Sequence, residues 1–168
     1  MTDDFSLGAV ETALSPLERF EEYLQTKGKR ITQPRRRIVE EVFRQHDHFD
    51  ADQLMASIAK SPGIEKVSRP TVYRALEVLV EAGLLRKMGL GGRAVYEHDY
   101  GYPQHDHMHC QACNQLIEFH SDDIQRIRDA VGRQHQFRVT GHLLIINGVC
   151  RDCMRKQQRQ RGDRLDRI

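Results

Sequence analysis

The 168-residue sequence has no tryptophan, only five prolines and only four cysteines. Nor has it an apolar run near the roughly 20 residues that cross a bilayer. Its longest such run, Leu143 to Ile146, is strand-sized. Nothing in the first thirty residues has the apolar core of a secretory signal. These absences argue against a membrane role and lead to the expectation of a reducing, cytoplasmic setting, where cysteines carry metal as thiolates rather than forming disulfides. With 39% hydrophobic residues, the length suits one domain or two small ones with modest cores.

Charge is segregated although the net value is only +2. Met1 to Thr26 holds six acids and one base, whereas Lys27 to Arg37 holds six basic residues and no acid. Such a basic stretch suits a phosphate backbone, and on charge alone it equally suits a solvated helix face.

Residues 1–14 show no clear period and read as a flexible N-terminal extension. Ser15-Pro16-Leu17-Glu18 is a capping box with proline at the first helical position, and Leu17, Phe20 and Leu24 follow at helical spacing. Thr32 is placed to cap a second helix with Ile38, Val39, Val42 and Phe43 inward. Asp50 caps a third, carrying Leu54, Met55 and Ile58, which Ser61-Pro62-Gly63 ends. Ser68 caps a fourth, in which Val72, Ala75, Leu76, Leu79 and Val80 face inward. Arg69, Tyr73 and Arg74 are left on its exposed N-terminal half.

Leu84–Met88 and Arg93–His98 read as strands joined by the glycine-rich turn Gly89–Gly92. Helices followed by such a hairpin make a winged helix, whose last helix enters the DNA major groove by its N-terminal half. Arg69, Tyr73 and Arg74 are therefore the candidate DNA-reading side chains. Residues 99–103 form a hinge after a domain spanning 15–98, and 104–153 form a second, smaller α/β domain. Its expected pieces are strands near His105–His109, Leu116–Phe119, Phe137–Val139 and Leu143–Ile146, with a Ser121-capped helix carrying Ile124, Ile127 and Val131. So few residues bury little surface unaided, which invites a metal and a partner subunit as stabilisers. Residues 154–168 are a basic polar tail, read as irregular.

Cys110-Gln-Ala-Cys113 and Cys150-Arg-Asp-Cys153 are two tight turns, each able to aim two sulfurs at one point. Together they make a tetrahedral thiolate cage for structural Zn2+, with no open position for catalysis. Thioredoxin-like redox exchange is the competing reading, but it normally uses a single pair opening a helix.

In a strand, His105 and His107 share a face and Asp106 takes the other. Glu118 could add a carboxylate from the next strand, and His48 and Glu97 could add donors from across the hinge. Such nitrogen and oxygen donors suit Fe2+, Mn2+, Zn2+ or cobalt, with supply and geometry deciding among them. His46, His109, His120 and His135 are read as ordinary surface or packing residues.

The motifs Arg30-Ile31-Thr32-Gln33-Pro34-Arg35, Thr71-Val72-Tyr73-Arg74-Ala75-Leu76 and His105-Asp106-His107-Met108-His109-Cys110-Gln111-Ala112-Cys113, with Glu118-Phe119, resemble the ferric uptake regulators. These are bacterial metal-dependent repressors with a winged-helix domain and a C-terminal dimerisation domain. The resemblance covers residues 15 to 153. It implies an α+β chain that binds double-stranded operator DNA as a homodimer or higher oligomer and represses metal-uptake genes. It further implies that His48, Glu97, His105, His107 and Glu118 form the regulatory site, that Tyr73 and Arg74 meet bases, and that Arg30 and Arg35 meet DNA.

Family members often have another site, for which this chain offers Asp106 and His142 but places Gln104 and Gln125 where a histidine and a glutamate are common. A neutral amide is a poor ligand beside imidazole and carboxylate. Glu118, where peroxide-sensing members carry aspartate, and the lack of a sensory cysteine favour Fe2+ over manganese, zinc or peroxide sensing. Two readings compete with this one: a metal hydrolase, for which no extra general base or small-molecule substrate pocket is evident, and a zinc-dependent interaction module without DNA binding.

Overall fold

The structure, a computed structural model, describes residues 10–44, 48–61 and 67–165, with side chains up to residue 160. Most of the N-terminal extension, His46 and the Pro62-Gly63 helix stop lie outside the described residues. The elements are α1 (Pro16–Thr26), α2 (Gln33–Val42), α3 (Ala51–Lys60), α4 (Arg69–Glu81), β1 (Leu85–Leu90), β2 (Arg93–His98), β3 (Asp106–Cys110), β4 (Leu116–Phe119), α5 (Asp122–Gln134), β5 (Ile145–Gly148) and α6 (Arg151–Leu165). They divide into two compact units, within Ala9–Pro103 and within Gln104–Ile168.

The first unit is a winged helix. Ser15 and Asp50 both form complete capping boxes, each side chain accepting a backbone N–H at N3 while the N3 side chain reaches back. Thr32 and Ser68 stand at N-caps without a side-chain bond to the helix backbone. The inward stripes of the four helices meet in a single cluster around Phe20, Leu24, Ile38, Leu54, Leu76 and Leu79, closed by Leu84, Leu85 and Tyr96 of the hairpin region. Glu41 is also buried, and it accepts from Ser61 Oγ at 3.0 Å and Arg44 Nη1 at 2.6 Å. Those donors offset the cost of placing a carboxylate between α2 and α3.

The wing is longer, and its turn tighter, than the glycine content suggests. Gly91 and Gly92 alone form the turn, both with positive φ (55° and 80°), so Gly89 and Leu90 join the ladder opposite Ala94 and Arg93. Positive φ at both central positions is the backbone that matches strand twist in a two-residue hairpin.

The second unit has a three-stranded sheet in the order β4-β3-β5, with β3 antiparallel to β4 and parallel to β5. No strand forms at Phe137–Val139. Instead the Gln136 N–H donates to Arg133 O and the Phe137 N–H to Gly132 O, with Gln136 left-handed (φ 50°), which closes α5 and turns the chain back. A Cβ on Gly132 would lie 2.6 Å from Val139 Cγ2, so the returning segment needs glycine there. The last strand is Ile145–Gly148 rather than Leu143–Ile146, and the tail continues as α6 rather than as irregular chain. Ile127 and Val131 of α5 remain 64% and 51% exposed, so their face is not covered.

Candidate metal centres

The cysteine centre is built by three local devices. Cys110 ends β3, where its N–H donates to Gln115 O and its carbonyl accepts from the Asn114 N–H, so the Cys110–Cys113 turn folds back on itself. Parallel pairing of β3 with β5 sets Gly148 beside Cys110, and Gln111 N–H donates to Gly148 O at 2.8 Å. That pairing delivers Cys150 and Cys153 at the start of α6. The four sulfurs lie within 4.8 Å of one another, and all are free thiols.

Cys113 Sγ and Cys150 Sγ are 3.8 Å apart. A tetrahedral Zn–S distance of about 2.3 Å requires sulfur separations of roughly that size, whereas a disulfide requires about 2.05 Å. The donor set therefore fits zinc. The Cys150 N–H donates to Cys110 Sγ at 3.2 Å, and this bond leads those that lower the Cys110 thiol to about 6. Hydrogen bonding to Cys150 and Cys113 pushes Cys153 up to about 12. Several thiolates this close repel one another, and a divalent cation removes that opposition.

A second donor set lies on the same sheet. His107 and Glu118 are directly opposite across β3 and β4, and His105 immediately precedes β3. His105 Nε2 is 3.9 Å from Glu118 Oε1, and the two imidazole rings stand edge to face at 4.9 Å between centroids. His105 and His107 are buried. Two imidazoles and a carboxylate, with no sulfur among them, fit a divalent ion of intermediate hardness.

Within the winged-helix unit, Phe49 and Tyr96 form an isolated antiparallel bridge. It sets the preceding His48 against the following Glu97, with Nε2 and Oε2 3.0 Å apart. Glu97 is buried.

Of the remaining expected ligands, Asp106 and His142 lie against each other. Asp106 Oδ1 is 3.0 Å from His142 Nε2, and the Gln104 amide donates to the carbonyls of His142 and His105 at 3.2 and 3.3 Å. Gln125 lies in α5, its N–H bonded to Ser121 O. Among the described residues, no group of three His, Cys, Asp or Glu ligands forms there. His109 bonds Asn147 through Nδ1 at 3.1 Å, and His120 bonds Gln104 O and Asp122, as packing residues do.

Of the candidate DNA contacts, Arg30, Arg69, Tyr73 and Arg74 are exposed and Arg35 is half-buried. Arg69 forms an ion pair with Asp52. The residues that sequence reasoning missed are Arg86 and Asp99. Arg86 lies directly across the hairpin from Glu97, a pairing that follows once the turn is placed at Gly91-Gly92.

A winged helix, a thiolate cage and a nitrogen–oxygen donor set together define a metal-responsive regulator. The chain matches the ferric uptake regulator family over residues 26–147. A ferric uptake regulation protein of Campylobacter upsaliensis is 31% identical over 140 residues, 83% of this chain and 90% of that protein. The crystal structure of the Vibrio cholerae ferric uptake regulator is 30% identical, with a TM-score of 0.63 over 77% of this chain and 98% of that one. A Francisella tularensis ferric uptake regulator, solved with iron, is 25% identical, with a TM-score of 0.65 over 76% and 96%. The chain belongs to the ferric uptake regulator family. No helix among its described residues is long and apolar enough to cross a membrane.

Proposed function

We propose that the chain is an iron-responsive repressor that binds operator DNA as a homodimer. In this reading Cys110, Cys113, Cys150 and Cys153 hold structural zinc. His48 and Glu97 of one unit and His105, His107 and Glu118 of the other hold the regulatory ion. The observation that carries it is the pair of sulfur-free donor sets, one in each unit: His48 against Glu97 at 3.0 Å, and His105 against Glu118 at 3.9 Å beside His107. The all-nitrogen-and-oxygen set and the ferric uptake relatives favour Fe2+, with Mn2+ and Zn2+ as the competing ions.

When bound, the ion supplies the charge that ties both donor sets together. Closing them on one point fixes the spacing of the two recognition helices in a dimer, so that Arg69, Tyr73 and Arg74 reach base edges while Arg30 and Arg35 meet phosphate. A 100-fold preference for the DNA-competent arrangement corresponds to about 2.7 kcal/mol of coupling, enough for a switch. Exposed Met108, Ile117 and Ile146 stand in register on neighbouring strands and, with Ile127 and Val131, offer the apolar surface a second copy would cover.

The test is operator binding by protein stripped of the regulatory ion and restored separately with Fe2+, Mn2+ and Zn2+ under reducing conditions. His105→Ala with His107→Ala should keep the zinc and the fold yet lose metal-dependent binding. Unchanged metal dependence in that variant would sink the site, and stronger restoration by Mn2+ or Zn2+ would move the assignment to that ion.

A further inference from the structure

We propose that Arg86 is a positioning residue of the regulatory metal site, aiming one oxygen of Glu97 at the ion position and holding the other away from it. The inference rests on reading Glu97 as a ligand.

Arg86 and Glu97 are direct cross-strand partners in the β1–β2 hairpin. The Glu97 side chain is only 4% exposed and that of Arg86 22%, so their contact is shielded from solvent. A carboxylate so placed needs partners, and Glu97 has a different one on each oxygen. Oε2 lies 3.0 Å from His48 Nε2, and Oε1 lies 3.5 Å from Arg86 Nη1. The oxygens are thereby distinguished: one shares its position with an imidazole that can ligate, the other faces a cation that cannot.

The guanidinium is itself fixed. Arg86 Nη2 donates to Asp99 Oδ1 at 2.5 Å, and the Asp99 backbone N–H donates to Leu84 O at 3.0 Å, tying the main chain that carries this carboxylate to the residue just before β1. Asp99 takes the short charge-assisted bond. The longer contact to Glu97 then steers the carboxylate more than it competes with a metal for it. A planar fork can span both acids at once; a lysine ammonium keeps the charge but not the span. Removing an outer partner of a metal ligand typically costs 10–100-fold in metal affinity.

The experiment is Mn2+ and Co2+ titration of the full chain, with its cysteine zinc retained, against a competing chelator. Wild type is compared with Arg86→Ala, Arg86→Lys and Glu97→Gln, with zinc content and melting temperature measured on each. Arg86→Ala should bind about tenfold more weakly, with an altered Co2+ visible spectrum and unchanged zinc content, and Arg86→Lys should recover only part of the affinity. Unchanged or tighter binding by folded Arg86→Ala overturns the proposal. If that variant fails to fold, wild-type affinity in Arg86→Lys does the same. Glu97→Gln separates the layers: if it leaves affinity intact, the metal-site reading itself fails; if it weakens binding while Arg86→Ala does not, only the role of Arg86 falls.

Discussion

The two units of this chain solve the problem of stability differently. The winged-helix unit buries a continuous apolar cluster from Phe20 to Tyr96. In the second unit, the buried side chains among the described residues are Cys110, His105, Asp106, His107 and His109, while Met108, Ile117, Ile127, Val131 and Ile146 stay exposed. One unit is held by hydrophobic burial; the other buries His105, His107 and Cys110 while Cys113 and much of its apolar surface stay exposed. In the proposed reading, a metal and a second copy supply the stability that burial does not.

Breaking the cysteine centre should expose this difference most strongly. Structural zinc contributes an apparent ~10–16 kcal/mol in small zinc peptides, more than a typical domain has to spare. Cys110→Ser should therefore abolish zinc binding and unfold the second unit, while α1–α4 and the hairpin stay folded. Limited proteolysis with mass analysis would show a protected fragment ending near the hinge. Retention of an ordered β4-β3-β5 sheet without zinc would refute the contrast.

The reciprocal change is Leu76→Ala, at the centre of the first core, where Leu76 is fully buried. Leucine-to-alanine truncations in such sites cost about 2–5 kcal/mol, from lost transfer energy plus the remaining cavity. Urea unfolding followed by a probe in the winged helix should shift by that amount, with zinc content unchanged. Loss of zinc on this substitution would mean that the two units share one stability.

What could be read from the sequence follows the same division. Helices α1 and α3 were legible because Ser15-x-x-Glu18 and the N-cap Asp50 mark their starts, and the apolar stripes of all four N-terminal helices pack into one core as their spacing predicts. The cysteine cluster was legible because paired short turns constrain their sulfurs locally. The contact of Arg86 with Glu97 was not, because placing the turn at Gly89–Gly92 pairs Met88 with Arg93 and so puts Val95, rather than Glu97, opposite Arg86. Phe137–Val139 looked strand-like by composition, yet the backbone closes α5 through Gln136 and leaves the segment no strand partner. Periodicity on α5 marked Ile127 and Val131 as a face to be covered, but periodicity does not say what covers it, and both stay exposed.

The smallest expected effect concerns α1 and protons, and it separates local capping from metal dependence. Glu18 accepts from the Ser15 hydroxyl at 2.7 Å and the Ser15 N–H at 2.8 Å, and these bonds hold its carboxyl below the ordinary value of 4.5. Because the folded value is the lower one, the stabilisation is fully present above 4.5 and is lost as pH falls through the depressed folded value. Glutamine at the same position keeps a capping-box acceptor but does not titrate. Glu18→Gln should therefore be slightly less stable than wild type near neutral pH, and the difference should close as pH falls below 4.5 through the depressed folded value. Following α1 by amide exchange confines the measurement to the winged-helix unit, away from the acid sensitivity of thiolate ligands. A difference that stays constant across that range would mean that Ser15 holds Glu18 equally well protonated or ionised, leaving hydrophobic packing of Phe20 and Leu24 as the main tie between α1 and its core.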